Sequence, residues 1–124
     1  MQDFRKLKVW NKAHAFVLDV YSITKGFPSV ERFGLTAQLR RSAASIATNL
    51  AEGCGRSSIG SFGALVQVAA GSACEADYQL LLARDIGYLR EDSYNVLSKE
   101  VAEIQRMLAA LHRTIALKAA TRGR

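Results

Sequence analysis

The chain has 124 residues and a mass of 13.5 kDa, enough for one domain with one core and too little for several. It is 49% hydrophobic and 23% charged, an ordinary balance for a water-exposed globular protein. Seventeen Lys and Arg against eleven Asp and Glu leave a net charge of +6, which favours polyanionic partners without naming one.

From about Arg5 to Lys25, Leu7, Trp10, His14, Val17, Tyr21 and Thr24 recur at spacings of three and four. That period predicts an amphipathic helix with these residues as its core seam. Gly26 followed by Pro28 reads as its stop, with Gly26 taking a left-handed cap. A second helix is predicted from about Glu31 to Glu52, stopped by Gly53, with Glu31 at the positive end of its dipole. Leu39, Ala43, Ile46 and Leu50 form its core stripe. Beside that stripe, Gln38, Ser42, Ser45, Asn49 and Glu52 follow one another by four, three, four and three residues.

This polar line has three readings: a solvated face, a catalytic set, or a polar helix interface. Catalysis is the weakest, because no His or Lys lies near in sequence to activate Ser or Asn. The interface reading assigns Ser42, Ser45, Asn49 and Glu52 to a contact in which short side chains allow close approach. Cys54, between two glycines, reads as an exposed thiol without a base beside it.

The third helix is predicted from Ser57 or Ser58, as N-cap, to about Gly87. Phe62, Val66, Ala69, Ala73, Ala76, Leu80 and Ala83 make a coiled-coil-like seam of mostly small residues. Val68, Cys74, Leu82 and Ile86 point elsewhere, a surplus of apolar surface that suggests self-association. The fourth helix starts near Asp92 or Ser93, with Tyr94, Leu97, Val101, Ile104, Leu108, Leu111 and Ile115 as its seam. Lys99 and Glu103 read as an exposed i,i+4 pair. With no strand alternation, long helices and short connections predict an all-α, up-down-up-down antiparallel four-helix bundle over residues 1–124.

Several chemistries lack their residues. His14 and His112 are preceded, three residues earlier, by Asn11 and Ala109, so the Glu-x-x-His pairs of di-metal bundles are missing. There is no GxxxxGK[ST], GxGxxG or HExxH. The expectation is no enzyme, no cofactor and no metal. The least polar run, Phe62 to Ala76, is broken by Gln67, Ser72 and Glu75, so no membrane span is expected. Two cysteines without ligand spacing read as free thiols in a reducing cytoplasm.

The second helix also carries a resemblance. Phe-Pro-x-x-Glu-x-x-Gly-Leu from Phe27, Gln-Leu-Arg-Arg from Gln38, Ser-Ile-x-x-Asn-x-x-Glu-Gly from Ser45 and Gly-Ser-x-x-Glu from Gly71 stand in order. With FRKLKVWNKAHAFVLDVYSITKGFP before them, the chain resembles, over nearly its whole length, a family of bacterial four-helix-bundle proteins. Members of that family are encoded in intervening sequences of large-subunit ribosomal RNA genes. A related branch serves as the accessory subunit of diversity-generating retroelements and assists a reverse transcriptase. The resemblance implies a cytosolic bundle assembled as a ring, a homopentamer, with no catalysis and a nucleic-acid role. One departure stands out: Ile59-Gly60-Ser61-Phe62 replaces the Lys-Glu-Phe type of start that relatives tend to have, which removes charge there.

Two functions follow as expectations: a homo-oligomeric nucleic-acid binder, directed to RNA before DNA, or a scaffold that docks a protein partner such as a reverse transcriptase. In the bundle, the start of helix one, the turn between helices two and three and the end of helix four meet at one pole. That pole would gather Arg5, Lys6, Lys8, Lys12, Arg56, Arg113, Lys118, Arg122 and Arg124 as the nucleic-acid site, opposed by Asp3 and Glu52. Backbone N–H groups of Ser58 and Ile59 would add an anion cradle. At the far end, Lys25, Arg32, Arg84 and Arg90 balance Glu31, Asp85, Glu91 and Asp92.

Overall fold

The computed structural model describes residues 2–122, with Arg122 by its backbone only. Its elements are four α-helices: α1 (Lys8–Thr24), α2 (Leu35–Cys54), α3 (Ile59–Asp85) and α4 (Glu91–Arg122). Short 3-10 turns at Phe4–Lys6 and Ser29–Glu31 precede α1 and α2, and no strand occurs among the described residues. The helices pack in the order α1–α2–α3–α4, with α4 closing back onto α1, which is the up-down-up-down bundle.

The seam expected for α3 is the seam found: Phe62, Val66, Ala69, Ala73, Ala76, Leu80 and Ala83 are all buried. Ser58 caps this helix by accepting the Ser61 N–H at 3.1 Å. In α2, Leu39, Ala43, Ile46 and Leu50 have no exposure, and in α4 Leu97, Val101, Ile104, Leu108 and Ile115 face them across the core. Tyr94, at the start of the α4 seam, and Leu111, one step before its end, are half-buried.

The seam expected for α1 is not the one found. Val9, Ala13, Phe16, Val20 and Thr24 are buried, whereas Trp10 and Val17 are half-buried and His14 and Tyr21 are exposed. Both stripes have helical period and lie about 100° apart, so period alone does not choose between them. Packing chooses the purely apolar stripe and leaves Trp, His and Tyr, each with a polar edge, at the rim.

The connections also differ from expectation. Helix α1 stops at Thr24 without a left-handed residue, and the one positive φ among the described residues is Gly87, at +85° after α3. A residue with a Cβ strains there, and glycine does not. Helix α2 begins at Leu35, not at Glu31. Glu31 still serves the helix start from outside it: its Oε1 accepts the Leu35 N–H at 3.0 Å, and its Oε2 accepts the Tyr88 hydroxyl at 3.0 Å. A Cβ at Gly34 would lie 2.6 Å from Glu31 Oε1, so glycine there makes room for this cap. Tyr88 also meets Phe27, ring centroids 5.8 Å apart, which ties the α1–α2 and α3–α4 connections together at the far pole.

At the near pole, the Gln2 N–H donates to the Cys54 carbonyl at 2.9 Å, and α2 continues through Gly53 to Cys54. Cys54 is therefore buried, at 2% exposure, and not the exposed thiol expected from its glycine neighbours. Burial pushes its pKa up, with Asp3 adding to the effect, so the thiol stays protonated. Glu103 does not pair with Lys99. It meets Lys12 of α1 at 3.3 Å, half-exposed on both sides and worth under about 1 kcal/mol.

Candidate nucleic-acid interface

The near pole is formed by the Phe4–Lys6 turn, the α2–α3 turn and the last turns of α4. The level of α4 is fixed by Ile115, whose Cγ2 would be 3.1 Å from a Cβ on Gly63 in the first turns of α3. Arg113 and Lys118 thus lie beside the start of α3, and both are exposed. Lys6 and Lys8 are exposed where the chain enters α1. A cleft of about 210 Å³ between the N-terminal residues and the α2–α3 turn is lined by Gln2, Cys54, Arg56, Ser57 and Ser58. The Ser61 amide is occupied by the Ser58 cap, so any anion at the start of α3 would meet the amides before it.

The basic residues of this pole fall into two groups. Arg5 meets Asp3 at 3.4 Å, Arg56 meets Glu52 at 2.7 Å and Lys12 meets Glu103 at 3.3 Å. Glu103 is a counter-charge that the pole expected from sequence left out. Lys6, Lys8, Arg113 and Lys118 have no carboxylate within 4 Å among the described residues. Arg124 and the Arg122 side chain lie outside the described residues. At the far pole Arg84 meets Asp85 at 3.0 Å and Glu91 at 3.8 Å, and Arg90 meets Asp92 at 2.7 Å, while Lys25 and Arg32 have no carboxylate within 4 Å among the described residues. The Ser93 N–H, followed by Arg90, holds the Asp92 carboxyl below its usual range.

The polar line of α2 lies over the α2–α3 boundary. Ser45 Oγ meets Ser72 Oγ of α3 at 2.8 Å, and this is its one hydrogen bond to another helix among the described residues. Asn49 Nδ2 donates to the Ser45 carbonyl at 2.8 Å and to Ser45 Oγ at 3.0 Å. Ser42, 6% exposed, donates to the Gln38 carbonyl at 3.0 Å, and Glu52 is held by Arg56. A groove of about 490 Å³ runs over this boundary, lined by Gln38, Arg41, Ser45, Ser72, Glu75 and Gln79. The Gln79 Oε1 is buried without a donor.

A second feature was hidden by the misplaced α1 seam. Trp10, His14, Val17 and Tyr21 line an external groove against α2. The Trp10 and His14 rings stack, centroids 5.0 Å apart and 7° from parallel, and Phe4 meets Trp10 edge-on at 4.7 Å. Arg40 lies over Tyr21 at 4.7 Å, fixed by its Nε donating to Thr24 Oγ1 at 2.8 Å. The sequence signal was present in the polar edge that each aromatic of that stripe carries.

Across the bundle, Glu100 of α4 faces Asp19 of α1. Its Oε2 is buried without a donor, and burial, then Asp19, push its carboxyl up to about 7 against a smaller opposing pull from Lys12. Among the described residues no group of three or more His, Cys, Asp or Glu is arranged to hold a metal ion. No helix there is long and apolar enough to cross a membrane.

The fold defines a class: an antiparallel four-helix bundle. Residues 5–110 match the model of the 23S rRNA-intervening sequence protein family, and the chain belongs to that family. It is similar in fold to a crystal structure of a protein of unknown function from the S23 ribosomal protein family of Bacteroides thetaiotaomicron. The two share 24% identity over 84% of this chain and 97% of that one, with a TM-score of 0.79. No match is found among curated proteins.

Proposed function

We propose that this protein is a non-enzymatic RNA-binding bundle that works in the cytoplasm as a homo-oligomer, a ring of five subunits on the family resemblance. The observation that carries the RNA-binding part is the split in charge pairing. Among the described residues, Lys6, Lys8, Arg113 and Lys118 gather at one pole without a carboxylate, while at the opposite pole Arg84 and Arg90 are paired and Lys25 and Arg32 are not. Unpaired cations on one face are what a phosphate backbone displaces counterions from. The family's description, which refers to 23S rRNA, supports RNA ahead of DNA.

The test is the double variant Arg113→Gln/Lys118→Gln, on exposed positions where folding is undisturbed. Titrated by fluorescence anisotropy with a structured RNA at two salt concentrations, it should bind about tenfold more weakly at low salt. Its salt slope should be shallower by about 1.5 to 2, because each lost phosphate contact removes nearly one released counterion. Unchanged affinity and slope would remove this pole from the binding site.

The oligomer draws on apolar surface that the bundle core leaves over. Val68 is 50% exposed and Tyr78 61% on α3, and Val96 59% on α4. The Ser42–Ser45–Asn49 line and its groove add polar groups at the α2–α3 boundary. Sedimentation at micromolar concentration should give a mass several times 13.5 kDa. A monomer at every concentration would discard the ring.

A second reading, a scaffold for a partner polypeptide, rests on exposed Val30 (84%) and Ile86 (47%) near the far pole. A scaffold of that kind leaves the RNA titration flat.

A further inference from the structure

The external groove between α1 and α2 has aromatic faces, arginines and no acid. Its first stretch, about 270 Å³, holds Phe4, Trp10 and His14 over a floor of Ala47 and Ala51. The second stretch, about 670 Å³, holds Tyr21, Arg32, Phe33, Arg40 and Arg41. Ala44 and Thr48 line both, so the two are continuous. No carboxylate lines either stretch. From Trp10 to Tyr21 the groove follows α1 for about 16 Å, at 1.5 Å per residue.

Two side chains in it are unused by the fold. Phe33 is 86% exposed, with the Arg32 guanidinium 5.2 Å from its ring centroid. Arg41 is exposed on the ridge between this groove and the α2–α3 groove, with no carboxylate within 4 Å among the described residues. Arg40 is already anchored, and that anchorage holds its charge at the groove wall beside Tyr21.

We infer that this groove is a track for single-stranded RNA, with unpaired bases stacking on Phe33 and Tyr21 and phosphates meeting Arg32 and Arg41. The inference rests on the RNA reading above and extends it from the pole to the side of the bundle. Every base has a π-face, so exposed rings beside cations bind single strands with little regard to sequence. Packed helices with axes about 8–10 Å apart leave a groove that admits an extended strand and excludes a duplex. The alanine floor lets the strand lie close to α2. A docked protein segment would instead have to bring carboxylates for three arginines.

Phe33→Ala is the decisive variant, because a ring this exposed contributes little to the core. The probes are a labelled single-stranded oligouridine and a labelled RNA hairpin, read by anisotropy on the full chain. Phe33→Ala should weaken oligouridine binding about tenfold, the loss of one stacked base, and leave hairpin binding unchanged. Phe33→Trp should restore the single strand, and the sedimentation mass should match the wild type in both. If Phe33→Ala binds oligouridine like the wild type, while Arg113→Gln/Lys118→Gln weakens the hairpin, this inference falls and the RNA reading stands. A shift in mass on Phe33→Ala would make the groove a contact between copies and overturn the track. A wild type that binds neither probe at low salt would overturn both.

Discussion

Phe16→Ala should lower the unfolding free energy by about 3–5 kcal/mol, while Trp10→Ala should cost no more than about 2. Phe16 has no exposure and is among the largest fully buried side chains, so truncation leaves a cavity between α1 and the rest of the bundle. Trp10 packs on Phe4 and His14 at the rim, where its neighbours can close over the gap and water can enter. Domains of this size have about 5–15 kcal/mol in total, so Phe16→Ala approaches the limit of folding. Urea denaturation of the two variants ranks the two stripes of α1 directly. If Phe16→Ala does not fold, Phe16→Leu gives the same ranking with a smaller loss. A Trp10 variant that loses more than either Phe16 variant would return the aromatic stripe to the core.

Glu100→Gln should make the protein more stable at pH 8, on the order of 1–2 kcal/mol, and leave it nearly unchanged below pH 4.5. The Glu100 carboxyl is raised from its usual 4.5 to about 7, first by burial and then by Asp19. The native chain therefore binds this proton more tightly than the unfolded chain does. Its contribution is fully present below about 4.5 and is lost as pH rises through about 7. Above that, two carboxylates face each other across α1 and α4, with one oxygen of Glu100 lacking any donor. Lys12 offsets part of this, but it also serves Glu103. Solvent around a half-buried group screens part of the penalty, hence the reduced magnitude. Urea midpoints for wild type and variant at pH 4.5 and pH 8 provide the measurement. A wild type equally stable at both, with no gain in the variant, would show that the pair carries no charge penalty.

The sequence by itself determined the helices, their order and three of the four core stripes. In α3 the seven-residue, Ala-rich stripe is the one that keeps unbroken four-three spacing, and each member is buried, while Val68 and Ile86 off the stripe stay exposed. An unbroken stripe of small side chains admits the closest neighbours, so here the spacing also gives the direction. The Ser58 cap was legible for the same local reason, since a helix start is decided within one turn. In α1 two stripes of equal period compete, and a period does not contain a phase. Only the neighbours α2 and α4 select Phe16 over Trp10, and that choice turns an expected seam into the external groove. Cys54 shows the same limit: its glycines suggested exposure, and the docking of Gln2 on the end of α2 buried it. The basic pole was legible as a sum of charges, because topology brings those elements to one end. Its pairing was not, because Lys12 and Glu103 meet only when α1 and α4 lie side by side. The same holds for Ser45 with Ser72 and for Asp19 with Glu100. What one helix needs in order to form is written along its own turns, whereas which of its faces is covered, and by what, depends on distances between helices that only the packed bundle sets.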